Sequence, residues 1–320
     1  MTANRFATAR MRNLAHSALL LAGMTALLCL LGWTLAGPEG VLWAFVLGAV
    51  VLTVSPRLSP GLTLRLYGAR PLAPGQAPTL ERAVAELARR AGLPRPPVLH
   101  LVPSPVPNAF AVGARDNAAL AVTAGLLQTL SLRETACVLA HEIGHIDHND
   151  MRVMGLSDVI SRITSFFSLF GQILVLVNLP LVLTGHVTVP WNAVLVLLAA
   201  PYLALLMQRA LSRARELDAD LEGARLSGDP AGLASALGRI ELQQGGWFSR
   251  LFLPGRYNPH PSPLRSHPLT EERIARLRQL ATEPQVFPPI HTLFPEPSPP
   301  FAMARRVPVR PRWRIGGYWY

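Results

Sequence analysis

The sequence predicts a mostly α fold with a small β-sheet, carried on four transmembrane helices. Three observations lead there. Half of the 320 residues are apolar, and they gather into four long uncharged runs, the profile of a membrane protein. Between the second and third runs, residues 98–102, 108–113 and 118–123 have the β-branched and alternating character of short strands. Charged stretches with helical spacing follow directly after those strands and again after the fourth run. The net charge of +11 is carried by arginine alone, because the chain has no lysine. No nucleic-acid-binding module accompanies it, and the membrane arrangement accounts for the charge by its placement.

Residues 1–13 carry Arg5, Arg10 and Arg12 and no acid. Residues 14–36 form an uncharged run long enough to span hydrocarbon, and longer than the apolar core of a cleaved signal peptide. A second run, residues 41–54, follows after only Gly37-Pro38-Glu39-Gly40, so the pair reads as a transmembrane hairpin. Residues 57–107 are soluble in character, with a helix over 79–91 stopped by Gly92 and Pro94. The strand at 108–113 either pairs with an extended peptide or is an ordinary packed hairpin, and the residues leave both open. Residues 163–183 and 193–207 are the third and fourth runs, the latter containing Pro201, a kink site. The short loops 37–40 and 184–192 lack arginine, whereas the N-terminus, the segment after the second run and the chain beyond Gln208 carry it. Positive charge stays on the cytoplasmic side, which places both termini and the intervening charged stretches there. Trp33, Trp43 and Trp191 sit beside the arginine-free loops, as interfacial tryptophans would. Cys29 and Cys137 have no metal-ligand or disulfide spacing.

The chemistry centres on His141-Glu142-Ile143-Gly144-His145, an H-E-x-x-H pattern. Ser131 and Glu134 form a capping box that starts a helix, and apolar residues carry it without a breaker to Gly144. Four residues apart, His141 and His145 share one face and can bind one Zn²⁺, with Glu142 alongside to accept a proton from water. His148 follows closely, but three ligands on one unbroken helix do not converge on a tetrahedral ion. It reads as solvated or as the neighbour of a ligand. Beyond the fourth run, residues 208–224 continue as a helix until Gly228 and Pro230, and Glu216 and Asp220 share a face of it. A catalytic zinc takes three protein ligands and keeps one position open. Glu216 would be the third, and Asp220 would accept a hydrogen bond from the other nitrogen of a ligating imidazole. The alternative for Arg215, Glu216, Asp218 and Asp220 is a solvated helix face.

Together these stretches resemble the HtpX family of membrane-embedded zinc metalloproteases. The matching pieces are NAFAVG at 108–113, LSLRETACVLAHEIGHIDHND around the motif, RELDADLEGA at 215–224 and SHPLTEERIARL at 266–277, in the family's order. The resemblance implies a gluzincin-like metalloprotease domain with one zinc per chain, ligated by His141, His145 and Glu216, with Glu142 as general base. It implies that Asn108, Ala109, Phe110 and Ala111 form the edge strand beside the substrate. His267 matches a position near the cleft, where a histidine stabilises an oxyanion; its other reading is a helix-start residue before Pro268. The implied activity is endopeptidase action on misfolded or damaged membrane proteins at the cytoplasmic face of the bacterial inner membrane. Unfolded or membrane polypeptides and the lipid bilayer are then its partners, and nucleic acid is not. Two alternatives use the same residues: a prenyl-protein processing protease of the CAAX type, and a non-catalytic membrane scaffold whose metal has a fourth protein ligand.

The expected organisation is a cytoplasmic N-terminus (1–13), a first membrane hairpin (14–56) and the first half of the protease domain (57–162). A second hairpin (163–207) and the second half of the domain (208–283) follow. The proline- and arginine-rich tail, residues 284–320, is expected to be mostly disordered. It either touches anionic lipid through Arg305, Arg306, Arg310, Arg312 and Arg314 or is a solvated extension.

Overall fold

Strand order and helix caps explain how the motif helix comes to lie at the centre of its unit. The structure, a computed structural model, describes residues 2–54, 60–186, 190–243 and 270–293. Two units are present: one of Met1–Arg10, Ser59–Met151 and Arg215–Tyr320, the other of Met11–Leu58 and Arg152–Ala214.

The first unit holds a four-stranded mixed sheet of β1 (Arg70–Pro71), β2 (Val98–Val102), β3 (Ala109–Val112) and β4 (Ala119–Thr123), in the order β1-β2-β4-β3. The β2 and β4 strands pair in parallel, with Val98 opposite Ala119, while β3 is antiparallel to β4, with Ala109 opposite Val122. The β3–β4 turn needs Gly113, at φ +97, because a Cβ there would lie 2.1 Å from the Asn117 carbonyl oxygen. Every residue of β4 is buried. Leu120 and Val122 face a cluster with α3 (Pro78–Arg90) and the motif helix, and Ala119 and Ala121 face Leu64, Val102 and Phe110 on the other side. A strand covered on both faces reads as a continuous apolar run.

The motif helix, α5 (Leu132–Asp147), has the capping box expected of Ser131 and Glu134, and all residues from Glu134 to Ile146 are buried. Leu139, Ile143 and Ile146 join the sheet-side cluster. Cys137 packs on the opposite side with Ala224, Leu233, Leu237 and Leu277. Each fully buried Leu or Ile contributes about 1.5–3 kcal/mol. The helix runs on through Gly144 and His145, and the chain turns at Asn149, with φ 54, a left-handed conformation that Asn tolerates.

Three helices among the described residues are long and apolar enough to cross a membrane, where the sequence predicts four spans. The first two runs fall within one helical element, α1 (Thr2–Val54), which is interrupted by non-helical dihedrals at Ala36 and Gly37. Its backbone touches itself across that break. A Cβ on Gly40 would lie 2.0 Å from the Gly32 carbonyl oxygen, although eight residues of straight helix would separate them by about 12 Å. The other two are α6 (Asp150–Val177) and α8 (Trp191–Ser227). The helix that carries the third run therefore begins before Ile163, immediately after the Asn149 turn, and the helix that carries the fourth continues through Arg215, Glu216 and Asp220 until Gly228, at φ 64. Trp33, Trp43 and Trp191 are exposed, with much of the Leu, Val and Phe surface of these helices, as lipid-facing surface requires.

Residues 284–293, which the sequence assigns to the tail, are packed in the first unit. Ile290 is fully buried, Arg90 donates to Pro288 O at 3.1 Å, and the Phe287 ring lies 4.9 Å from the Arg90 guanidinium. Residues 294–320, including the five tail arginines, lie outside the described residues, as does His267.

Candidate metal centre

Two helices supply the centre, and two glycines let them approach. On α5, His141 and His145 lie one turn apart and meet edge to face, ring centroids 4.8 Å from each other and planes at 86°. On α8, Glu216 and Asp220 are one turn apart and buried. A Cβ at Gly223 would lie 2.9 Å from His141 Cα, and one at Gly144 would lie 3.2 Å from Glu222 Cβ. A side chain at Gly223 would push the helices apart at the histidine itself.

The two imidazoles converge on one carboxylate. His141 Nε2 lies 3.5 Å from Glu216 Oε2, and His145 Nε2 lies 3.6 Å from Glu216 Oε1. Among the described residues, His141, His145 and Glu216 form the group able to hold a metal ion, with ligand atoms within 4.8 Å of one another. The remaining ring nitrogens are held from behind. His141 Nδ1 lies 3.1 Å from Asp220 Oδ1, and His145 Nδ1 lies 2.7 Å from Asp150 Oδ2. Both rings thus turn Nε2 inward, the arrangement that histidine metal ligands adopt.

Asp150, Arg215, Asp218 and Arg273 complete the centre, and sequence reasoning gave none of them this place. Arg215 donates to Asp150 Oδ1 at 2.5 Å and to Asp218 Oδ2 at 2.9 Å. Arg273, on α10 (Thr270–Leu280), donates to both oxygens of Asp220 at 2.6 Å. The available signals were weak. Asp150 stands five residues beyond His145 across a left-handed turn, off the helical spacing. Arg273 lies far along the chain, and Arg215 and Asp218 look like ordinary helix-surface charge. Arg215 and Arg273 are outnumbered by the carboxylates they touch, Glu216, Asp220, Asp150 and Asp218, an excess of acid that favours a cation. Two imidazoles and a carboxylate also make a zinc-type donor set. The residues present therefore fit such an ion.

Protonation follows from these neighbours. Burial works against charge on His141, but Asp220 and Glu216 outweigh it and raise its pKa to about 10. Burial likewise opposes charge on His145, and Asp150 and Glu216 reverse the balance and raise it. Asp220 would be raised by burial, yet Arg273 holds it down at about 2. Glu142 is raised, chiefly because it is buried. Its Oε2 accepts a hydrogen bond from the Ala111 N–H at 3.1 Å, so the acid sits beside the strand at the sheet edge. Asn108 donates its N–H to Thr123 Oγ1 at 2.9 Å just before β3, and Phe110 packs against Tyr67 with ring centroids 4.9 Å apart. Ala109 and Ala111 occupy the non-hydrogen-bonded register of β3 against β4, so their backbone groups point away from β4; Ala109 is fully buried and the Ala111 N–H is taken by Glu142. The His148 side chain is buried, 3.9 Å from Asp147 Oδ2, and is not in the ligand group; a solvated His148 is excluded.

Comparison with known proteins finds a match to Peptidase family M48 over residues 74–281. A "Protease HtpX homolog" of Paraburkholderia phytofirmans is 37% identical over 293 residues, covering 85% of this chain and 98% of that protein. Another of the same description, from Salinibacter ruber, is 36% identical over 285 residues, covering 85% and 100% respectively. A solved structure described as "Crystal Structure of S. mikatae Ste24p" is similar at a TM-score of 0.46 and 20% identity, over 85% of this chain and 66% of that one.

Proposed function

The chain belongs to peptidase family M48, and from that premise we propose that it is a zinc endopeptidase of the bacterial cytoplasmic membrane that hydrolyses misfolded or damaged membrane proteins. The observation that carries the reading is the convergence of His141 and His145 on Glu216, at 3.5 and 3.6 Å, with Glu142 buried between them and the edge strand. Three ligands, among the described residues, leave one tetrahedral position for water, which suits a catalytic rather than a structural zinc. When bound, zinc supplies Lewis acidity: it polarises the scissile carbonyl and brings the pKa of water to about 7.

The chain's own residues do the rest. Glu142 accepts the proton of the attacking water and delivers it to the leaving amine, a task suited to a carboxylate whose pKa burial has raised. Asn108, Ala109, Phe110 and Ala111 align the peptide: β3 is an edge strand of the sheet, and a strand in that position can pair with an extended backbone without reading its side chains. Asp150 bonds His145 Nδ1 at 2.7 Å and Asp220 lies 3.1 Å from His141 Nδ1, and the two carboxylates keep both rings facing inward. His267 is assigned to the oxyanion.

The chain-folding break at Ala36 and Gly37, with Gly32 against Gly40, supports counting α1 as two passes, and hence four in all. The arginine-free loops 37–40 and 184–192 support placing the metal centre in the cytoplasm. In the Glu142→Gln variant, zinc content should stay at one per chain while cleavage of an unfolded substrate such as casein falls by about 10²–10⁴. Casein cleavage at the parental rate would remove Glu142 from the mechanism.

A further inference from the structure

Each imidazole is backed by a carboxylate and an arginine, but the two arginines arrive differently. Arg215 neighbours Glu216 on α8 itself. Arg273 comes from α10, and it reaches both remaining carboxylates of the centre. Its side chain is 1% exposed; Nε and Nη2 each lie 2.6 Å from an oxygen of Asp220, and Nη1 lies 3.3 Å from Glu216 Oε2. A planar guanidinium bonded through two nitrogens fixes both the position and the plane of a carboxylate. Asp220, so fixed, presents Oδ1 to His141 Nδ1 at 3.1 Å, which sets the direction of His141 Nε2.

We propose that Arg273 is a positioning residue of the metal centre. It aligns His141 through Asp220, sets Glu216 directly, and so makes metal retention depend on the docking of α10. This rests on the reading of His141, His145 and Glu216 as ligands. A single arginine thereby ties a helix that contributes no ligand to the geometry of two of them.

The test is the zinc dissociation constant of the full-length protein in detergent, measured by competition with a chromophoric chelator, for the parent, Arg273→Met, Arg273→Lys and Glu216→Ala. Arg273→Met should weaken zinc binding by about 10–100-fold, the usual consequence of losing an outer hydrogen-bonding partner. Arg273→Lys keeps the charge but not the planar fork, and should recover only part of that loss. The rise in Tm caused by zinc should also shrink in Arg273→Met, whereas a purely structural arginine would lower loaded and stripped protein alike. Parental or tighter zinc binding in Arg273→Met overturns the proposal. Parental binding in Arg273→Lys overturns it too, by reducing Arg273 to a counter-charge, and this variant decides the matter if Arg273→Met does not fold. A parent that binds no zinc, or a Glu216→Ala variant that still binds it at parental strength, overturns the ligand assignment itself.

Discussion

In the unit that carries the metal centre, α5 and α8 meet at Gly144 and Gly223, and the polar groups around that contact are ions: Glu216, Asp220, Asp150 and Asp218 balanced by Arg215 and Arg273. In the unit of Met11–Leu58 and Arg152–Ala214, helices also meet at glycines, Gly32 with Gly40 and Gly171 with Leu197. There the polar groups are neutral, and Ser168 and Gln172 of α6 donate to the Leu197 carbonyl of α8. Both units close their helix contacts with small residues, but only one assembles charge. Ion pairs buried in protein cost desolvation that good geometry only just offsets. They mark where the fold accepts that cost in exchange for a site that wants a cation. The membrane unit avoids the cost by using hydroxyl and amide groups, as packing in lipid favours.

The largest separation between the units should come from removing a partner at each contact. Arg215→Met leaves Asp150 and Asp218 buried without their shared cation and should cost about 3–5 kcal/mol in denaturant unfolding of the metal-free protein. It should also loosen His145, which Asp150 orients at 2.7 Å. A loss below about 1 kcal/mol would mean that water reaches these carboxylates, and the contrast between charged and neutral contacts would fade.

Glycine substitutions give a smaller and more local contrast. At Gly223 the new Cβ would meet the backbone of His141, with Cα at 2.9 Å and N at 3.0 Å. At Gly171 it would meet the methyl ends of Leu197 and Leu35, at 2.4 and 2.7 Å. Backbone cannot yield without moving a ligand, whereas leucine ends can change rotamer. Gly223→Ala should therefore cost about 1–3 kcal/mol and weaken zinc binding, and Gly171→Ala should cost less and leave zinc binding unchanged. Equal effects on zinc affinity would show that helix spacing at residue 223 does not set the centre.

The same contrast explains what the sequence could reveal. His141, Glu142 and His145, and the pair Glu216 and Asp220, were legible because one helical turn puts each pair on a shared face, a rule that needs no tertiary knowledge. Ser131 and Glu134 marked the helix start for the same local reason. The arginines were not legible. Arg215 and Asp218 have the spacing of any solvated helix, and only the burial of α8 makes them interior. Asp150 reaches His145 because Asn149 takes a left-handed conformation, and Arg273 depends on the docking of α10. Gly144 lies inside the motif helix, and its part as a close-approach point appears only once α8 is docked against it. The break within α1 falls at Ala36 and Gly37, beside the Gly-Pro pair that reads as a turn in sequence, while the helical element around it runs from Thr2 to Val54; by length and composition three helices among the described residues are able to cross a membrane.

The smallest effect belongs to the membrane unit, and it tests whether a neutral contact there is structural. Pro201 has no N–H to offer Leu197, its partner four residues earlier in α8, so the Leu197 carbonyl is left without its helical donor. Ser168 Oγ bonds that oxygen, and Gln172 Nε2 lies 2.9 Å from Ser168 Oγ and 3.4 Å from the same carbonyl. Ser168→Ala removes the first donor while Gln172 remains close enough to take its place, so the cost should be about 0.6 kcal/mol, the average for such bonds between membrane helices. Replacing Gln172 by Leu as well should cost more than the two single changes added together, because the carbonyl then has no donor from α6. Strict additivity in unfolding measured in detergent would mean that the two side chains do not share the Leu197 oxygen, and that this carbonyl is satisfied by other means.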